Sequence, residues 1–213
     1  MIGFEDLLSR LEVRLRAPLP GPRAHERMRA IPVGSNIPRF NHATPPRKGS
    51  VLLVLYRDGS RILFPLIKRP DYEGLHSGQI SLPGGKAEPG EDFITTALRE
   101  GHEEIGIDQQ AVHTIGRLSD FFVIPSNFMV TPVLGYANTK PLLIPDPVEV
   151  AKILHGDVES LLPDSAICEK EIMAGKSYRM KAPHFEIENE IVWGATAMIL
   201  NEFRTVVCDV LEG

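Results

Sequence analysis

The chain has 213 residues, 43% of them hydrophobic and 24% charged, and a formal net charge of −5. That length and composition suit one globular domain with short appended elements. The acidic balance argues against general nucleic-acid binding, which needs a basic surface, but leaves room for a local basic pocket that takes a phosphorylated small molecule.

Residues 1–17 interleave Phe4, Leu7, Leu8, Leu11 and Leu15 with charged residues at helical spacing, which predicts an amphipathic helix packing on the domain. The interrupting charges exclude a signal peptide, and no stretch is long and apolar enough to span a bilayer. The expected location is therefore the cytoplasm. Cys168 and Cys208 have neither metal-ligand spacing nor a disulfide framework, and they read as buried or incidental thiols in a reducing compartment.

A connector rich in proline and arginine follows, to residue 48, where the prolines predict extended coil with little regular structure. Residues 1–48 are expected to form the appended helix and connector, and residues 49–213 the main domain. Apolar runs at 50–56 and 61–67 flank Arg57-Asp-Gly-Ser60 and predict a hairpin, with Pro65 weakening its second strand or marking an edge. Further strands are expected at 113–118, 129–136, 178–181 and 185–192, and helices at 92–104, 157–162 and 194–207. Strands interleaved with a few helices predict α/β layering around a mixed sheet.

The stretch from Gly84 to Ile107 carries the chemistry. Pro83, Gly84, Gly85, Pro89 and Gly90 make a loop whose backbone can pass close to a ligand. Glu91 and Asp92 stand where a helix would begin and where acids complement the macrodipole. Phe93, Ala97 and Gly101, with Ile94 and Leu98, give that helix a buried side; Gly101 suits close approach to the sheet. Glu100, Glu103 and Glu104 are three and four apart and project from one side. Such repulsion is tolerable on a solvated face, and it becomes attraction around a hard cation such as Mg²⁺ or Mn²⁺. His102, pointing elsewhere, is expected to be exposed.

Gly85, Glu91, Arg99, Glu100, Glu103, Glu104, Gly106 and Ile107 together match the box of the Nudix hydrolase family, which this sequence resembles. Its seven fixed identities would recur by chance in a chain this long roughly once in a million. The one departure is Gly101, where an aliphatic residue is usual. The resemblance implies an α/β/α sandwich with a mixed sheet and a catalytic loop–helix–loop. It implies that Glu100, Glu103 and Glu104 bind Mg²⁺ or Mn²⁺, with the Gly85 carbonyl a further candidate ligand. Arg99 and Glu91 would hold the loop against the helix. Water would attack one phosphorus of a nucleoside diphosphate derivative. The base is left open among Glu103, Glu104 and a later glutamate, Glu186, Glu188 or Glu190.

Upstream, Arg69, His76, Gly78, Gln79, Pro83, Gly84 and Gly85 resemble the run found in the coenzyme A pyrophosphatase branch, with Gly74 replacing an arginine of some members and Leu82 a phenylalanine. The segment around Trp193 is also similar. The resemblance spans roughly residues 50–203. It implies that coenzyme A or an acyl-CoA is cut to 3′-phosphoadenosine 5′-phosphate and (acyl-)4′-phosphopantetheine. Lys68 and Arg69 are candidate phosphate contacts, or else strand-end surface charges. His76 and Gln79 are candidate substrate contacts; His76 also reads as a hydrogen-bonded loop histidine, and Trp193 as core or as an adenine platform. The competing readings are hydrolysis of ADP-ribose or another nucleoside diphosphate derivative, and a non-catalytic ligand sensor. No nucleic acid or membrane partner is expected. A homodimer is compatible with the family, and the N-terminal helix could contribute to it.

Overall fold

A computed structural model describes residues 2–35, 37, 39–71, 77–175 and 178–212. In chain order the elements are α1 (Phe4–Arg14), α2 (Pro22–Glu26), β1 (Ile31–Pro32), β2 (Arg47–Asp58), β3 (Arg61–Lys68), β4 (Ile80–Ser81), β5 (Gly84–Lys86) and α3 (Phe93–Ile105). Then come β6 (Val112–Arg117), β7 (Phe121–Val123), β8 (Phe128–Ala137), β9 (Lys152–Asp157), α4 (Val158–Leu161), β10 (Cys168–Ala174), β11 (Tyr178–Ile187), β12 (Glu190–Trp193) and α5 (Gly194–Glu212).

The main sheet runs β4-β3-β2-β8-β6, with β5 on β2, β7 on β8 and β9 on β3. Strands β2 and β8 pair in parallel and their neighbours antiparallel, so the sheet is mixed. Residues of β2 alternate between two cores, as a pleated strand buried on both faces must. Leu52, Val54 and Tyr56 meet Ala97 and Ile105 of α3, whereas Leu53 and Leu55 share a cluster with Leu7 and Leu11 of α1 and Phe203 of α5. Helices therefore cover both faces, in the α/β/α arrangement expected. The N-terminal helix buries Phe4, Leu7, Leu8 and Leu11, so its apolar stripe belongs to the main core.

Several elements depart from expectation. The connector is not bare coil: α2 forms with Pro22 in its first turn, and β1 pairs with β11. The run 185–192 is not one strand. Glu188 and Asn189 adopt left-handed φ values of 50° and 65° and turn the chain between β11 and β12, a pairing suited to a tight hairpin. Strands β9 and β10 escaped the sequence reading. Pro65 does lie where β3 has lost its β2 partner: that register ends at Leu63, and Pro65 pairs only with His155 of β9. Cys168 is exposed and Cys208 partly buried, both as free thiols. Among the described residues no helix is long and apolar enough to cross a membrane.

Candidate active site

The site is built on α3 and on the loop that leads into it. Asp92 caps the helix by accepting from the Thr95 N–H at 2.8 Å, and Gly106 ends it in the left-handed conformation at φ 68°. Thr96, Ala97, Gly101, Glu104 and Ile105 form the buried side. A Cβ on Gly101 would lie 2.8 Å from the Leu52 side chain, so the glycine lets α3 approach the sheet closely. Phe93 departs from expectation. It stands at the first helical position, 38% exposed, with the Arg117 guanidinium 5.3 Å above its ring.

Arg99 organises the loop. Its Nε and Nη2 donate to the two Glu91 oxygens at 2.8 and 3.1 Å, and Nη2 also reaches the Lys86 carbonyl at 3.0 Å. Glu91 accepts further from the Glu88 N–H and the Thr96 hydroxyl. The Arg99 guanidinium, the Glu88 N–H and the Thr96 hydroxyl hold the Glu91 carboxyl down at about 2. This links loop and helix across eight residues. Nη1 of the same arginine donates to Glu100 at 2.9 Å and to Glu103 at 2.8 Å.

The three glutamates are graded in burial. Glu103 has a side chain 55% exposed, Glu100 is half-buried, and Glu104 is only 2% exposed. Glu104 Oε2 accepts from the Gly84 N–H at 2.7 Å. Burial pushes its carboxyl up to about 7, against the pull of that N–H and of the Arg69 charge; Glu100 and Glu149 push the same way as burial. Burial also raises Glu100. A Cβ on Gly85 would sit 2.5 Å from both Glu100 carboxylate oxygens, and one on Gly84, at φ 153°, 2.3 Å from the Ser50 carbonyl. Glycine at both positions lets strand, loop and carboxylate meet.

This donor set fits a hard divalent cation. It is made of carboxylate oxygens packed against the Gly84–Gly85 backbone, and two of the carboxylates are raised because burial leaves their charge under-compensated. Among the described residues no three acidic, histidine or cysteine side chains already converge on one point. Arg99 instead draws Glu100 and Glu103 toward itself, so a cation would have to compete with it.

Of the remaining expected site residues, Arg69 is brought to the cluster: its charge acts on Glu104, and its N–H donates to the Gln79 carbonyl at 3.0 Å. Lys68 is committed to Glu190, Nζ to Oε1 at 2.7 Å. His76 and Gly74 lie outside the described residues. Glu188 pairs with Lys152 and accepts from the His155 N–H, and Glu186 is exposed. Trp193 is half-buried, opposite His184 at the end of β12. His102 is exposed as expected, its ring on the Ile107 carbonyl.

The residue that sequence reasoning missed is Glu149. The segment before it is bonded to the end of α3, Ile144 N–H to the Ile105 carbonyl and Asp146 N–H to the Glu104 carbonyl, both at 2.9 Å. The Asp146 carboxylate then accepts from the Glu149 N–H. These bonds bring a fourth carboxylate into electrostatic range of Glu100 and Glu104. No local pattern marks it.

The NUDIX domain family model matches residues 46–161. The uncharacterized Nudix hydrolase NudL of Yersinia pestis (strain Pestoides F) is 30% identical over 182 residues, which cover 83% of this chain and 89% of that protein. Solved structures align more loosely. A MutT/nudix family protein from Enterococcus faecalis is 14% identical with a TM-score of 0.49, covering 100% of this chain and 76% of that one. The MutT protein from Methanosarcina mazei Go1 is 17% identical with a TM-score of 0.46, covering 81% and 97%. The domain match over more than half of the chain and the likeness to NudL, with the glutamate helix between them, make this chain a member of the Nudix hydrolase family, whose enzymes generally use divalent metal ions.

Proposed function

We propose that this protein hydrolyses a diphosphate bond in a nucleoside diphosphate derivative with Mg²⁺ or Mn²⁺, and that its substrate is coenzyme A or an acyl-CoA. The products would be 3′-phosphoadenosine 5′-phosphate and (acyl-)4′-phosphopantetheine. The observation that carries the hydrolase reading is the buried, under-compensated Glu104 against the Gly84 N–H, with Glu100 beside it and Arg69 in range.

Glu100, Glu103 and Glu104, with the Gly85 carbonyl, would hold the cation. When bound, it would neutralise charge developing on the bridging and leaving oxygens. Arg99 and Glu91 keep the loop on the helix. Arg69 would contact a phosphate, while Lys68 would have to leave Glu190 to do so. Glu149 joins Glu103 and Glu104 as a candidate to accept the proton of the attacking water, because it is the later-loop carboxylate that stands near the cluster. The coenzyme A part rests on the resemblance of Arg69, Gly78, Gln79 and Pro83 to Gly85 to that branch. The reading places the enzyme in the cytoplasm and allows a homodimer.

Hydrolysis of coenzyme A and of ADP-ribose should be compared with Mg²⁺ and with Mn²⁺, resolving products by mass. Release of phosphopantetheine with little ADP-ribose cleavage is expected. Preferential cleavage of ADP-ribose would discard the coenzyme A reading and keep the site. Ligand binding with no cleavage of either would favour a sensor.

A further inference from the structure

Residues 1–48 hold nine basic residues against four acidic ones, in a chain whose net charge is −5. None of these basic residues belongs to the loop–helix–loop. Three of them, Arg14, Arg23 and Arg27, line a cavity of about 360 Å³ between α1, the connector, α2 and α5. The cavity is half open to solvent, so it would hold a ligand against one wall.

The cavity stands apart from the glutamate cluster. Thr196, in the first turn of α5, donates to the Ile80 carbonyl, beside the strand that leads to Gly84. The α5 residues lining the cavity are Asn201, Thr205 and Asp209, which begin about 7.5 Å further along the helix at 1.5 Å per residue and face α1 and the connector. The two sites share no residue.

The walls are built for an anion with an organic part. Arg14 is held by Asp209 at 2.7 Å and by the Pro18 carbonyl, and Arg27 by Asp164 at 3.0 Å. Arg23 is exposed and has no hydrogen-bond or ion-pair partner among the described residues. Asp209 and Asp164 offset Arg14 and Arg27, which leaves the Arg23 guanidinium as the excess positive charge of the lining. Pro18, Leu19, Pro20 and Ala24 supply an apolar wall. Asn201 also lines the cavity, almost fully buried. Its Nδ2 donates to the Ala24 carbonyl at 2.8 Å, while its Oδ1 has no donor. The position of the wall is fixed from behind, where buried Glu202 holds the Gly21 N–H and the His25 ring.

We propose that this cavity is a second, non-catalytic binding site for a small organic phosphate: a phosphate monoester for the arginines, joined to a ring or chain that packs on the wall of Pro18, Leu19, Pro20 and Ala24. Arg23 would be its principal contact, since it alone of the three gives up no carboxylate to bind phosphate.

The test is calorimetric titration of the full-length protein with AMP, inorganic phosphate and adenosine, in EDTA so that no divalent cation recruits phosphate to the glutamates. AMP should bind and adenosine should not. Phosphate alone should bind more weakly than AMP. Arg23→Ala, at an exposed position, should weaken AMP binding about tenfold or more, and Arg27→Ala should weaken it less. Glu104→Gln should leave it unchanged. AMP binding that survives Arg23→Ala, disappears in Glu104→Gln, or is absent at millimolar concentration would overturn the proposal. None of these results depends on whether the protein hydrolyses coenzyme A.

Discussion

Glu104 and Glu202 are two glutamates at nearly the same depth, 2% and 0% exposed, on opposite faces of one sheet. Glu104 receives a single backbone N–H. Glu202 receives the Ser119 hydroxyl at 2.6 Å, the Gly21 N–H at 3.0 Å, the His25 ring at 2.9 Å and the Ser119 N–H. Burial alone would raise both carboxyls. For Glu202 the hydrogen bonds from His25, Ser119 and Gly21 outweigh burial and bring it below its ordinary value, whereas Glu104 is left at about 7. A buried charge that serves architecture is satisfied from within the chain. Glu104 is left short of partners, and under the proposed function a cation would complete it.

The sharpest break of this comparison is Glu104→Gln. Turnover should fall by about 100-fold or more, beyond the loss typical of outer-shell partners in metal sites. The amide can still accept from Gly84, so the melting temperature in EDTA at pH 7.5 should not fall. Retained activity would remove Glu104 from the site, and a collapse of stability would make it architectural like Glu202.

Glu202→Gln should behave in the opposite way. Losing charge-assisted bonds from several donors should cost about 2 kcal/mol, or roughly 4–8 °C in a domain this size. Because the folded carboxyl lies below its unfolded value, its contribution is present above about pH 4.5, the ordinary value, and is lost as pH falls through the folded value. Acid unfolding followed by circular dichroism should therefore be shallower in Glu202→Gln than in the parent protein. Parallel curves would show that Glu202 is not the clasp.

The smallest effect is expected at Gly101→Ala. Helix propensity favours alanine by about 1 kcal/mol. Pushing a Cβ to 2.8 Å from Leu52 costs about 1–3 kcal/mol. A net loss near ~1 kcal/mol, a fall of about 2–4 °C, should be seen in thermal melts. A rise would mean that α3 has slack against the sheet.

The glutamate helix was legible because its parts are contiguous. Spacings of three and four place Glu100, Glu103 and Glu104 on one side, and Asp92 and Gly106 mark its ends by local backbone chemistry. Strand β10, Cys-Glu-Lys-Glu-Ile-Met-Ala, was not legible: it pairs with one neighbour only and is largely exposed, so it carries no apolar alternation to read. The connector misled for a related reason. Its prolines are real, but α2 is anchored by Gly21 and His25 on a glutamate 181 and 177 residues away. Lys68, a candidate phosphate contact or strand-end charge by sequence, is paired with Glu190, 122 residues on.

Sequence alone determined the family, the glutamate helix and the layered architecture, because each rests on identities at short fixed spacing or on the periodicity of burial. Tertiary structure decided how far each carboxylate is buried, that Glu149 joins the cluster, that Lys68 is engaged, and that three arginines of the N-terminal segment share a cavity. Burial, charge compensation and enclosure depend on groups far apart in the chain, and only the packed fold brings those groups within reach of one another.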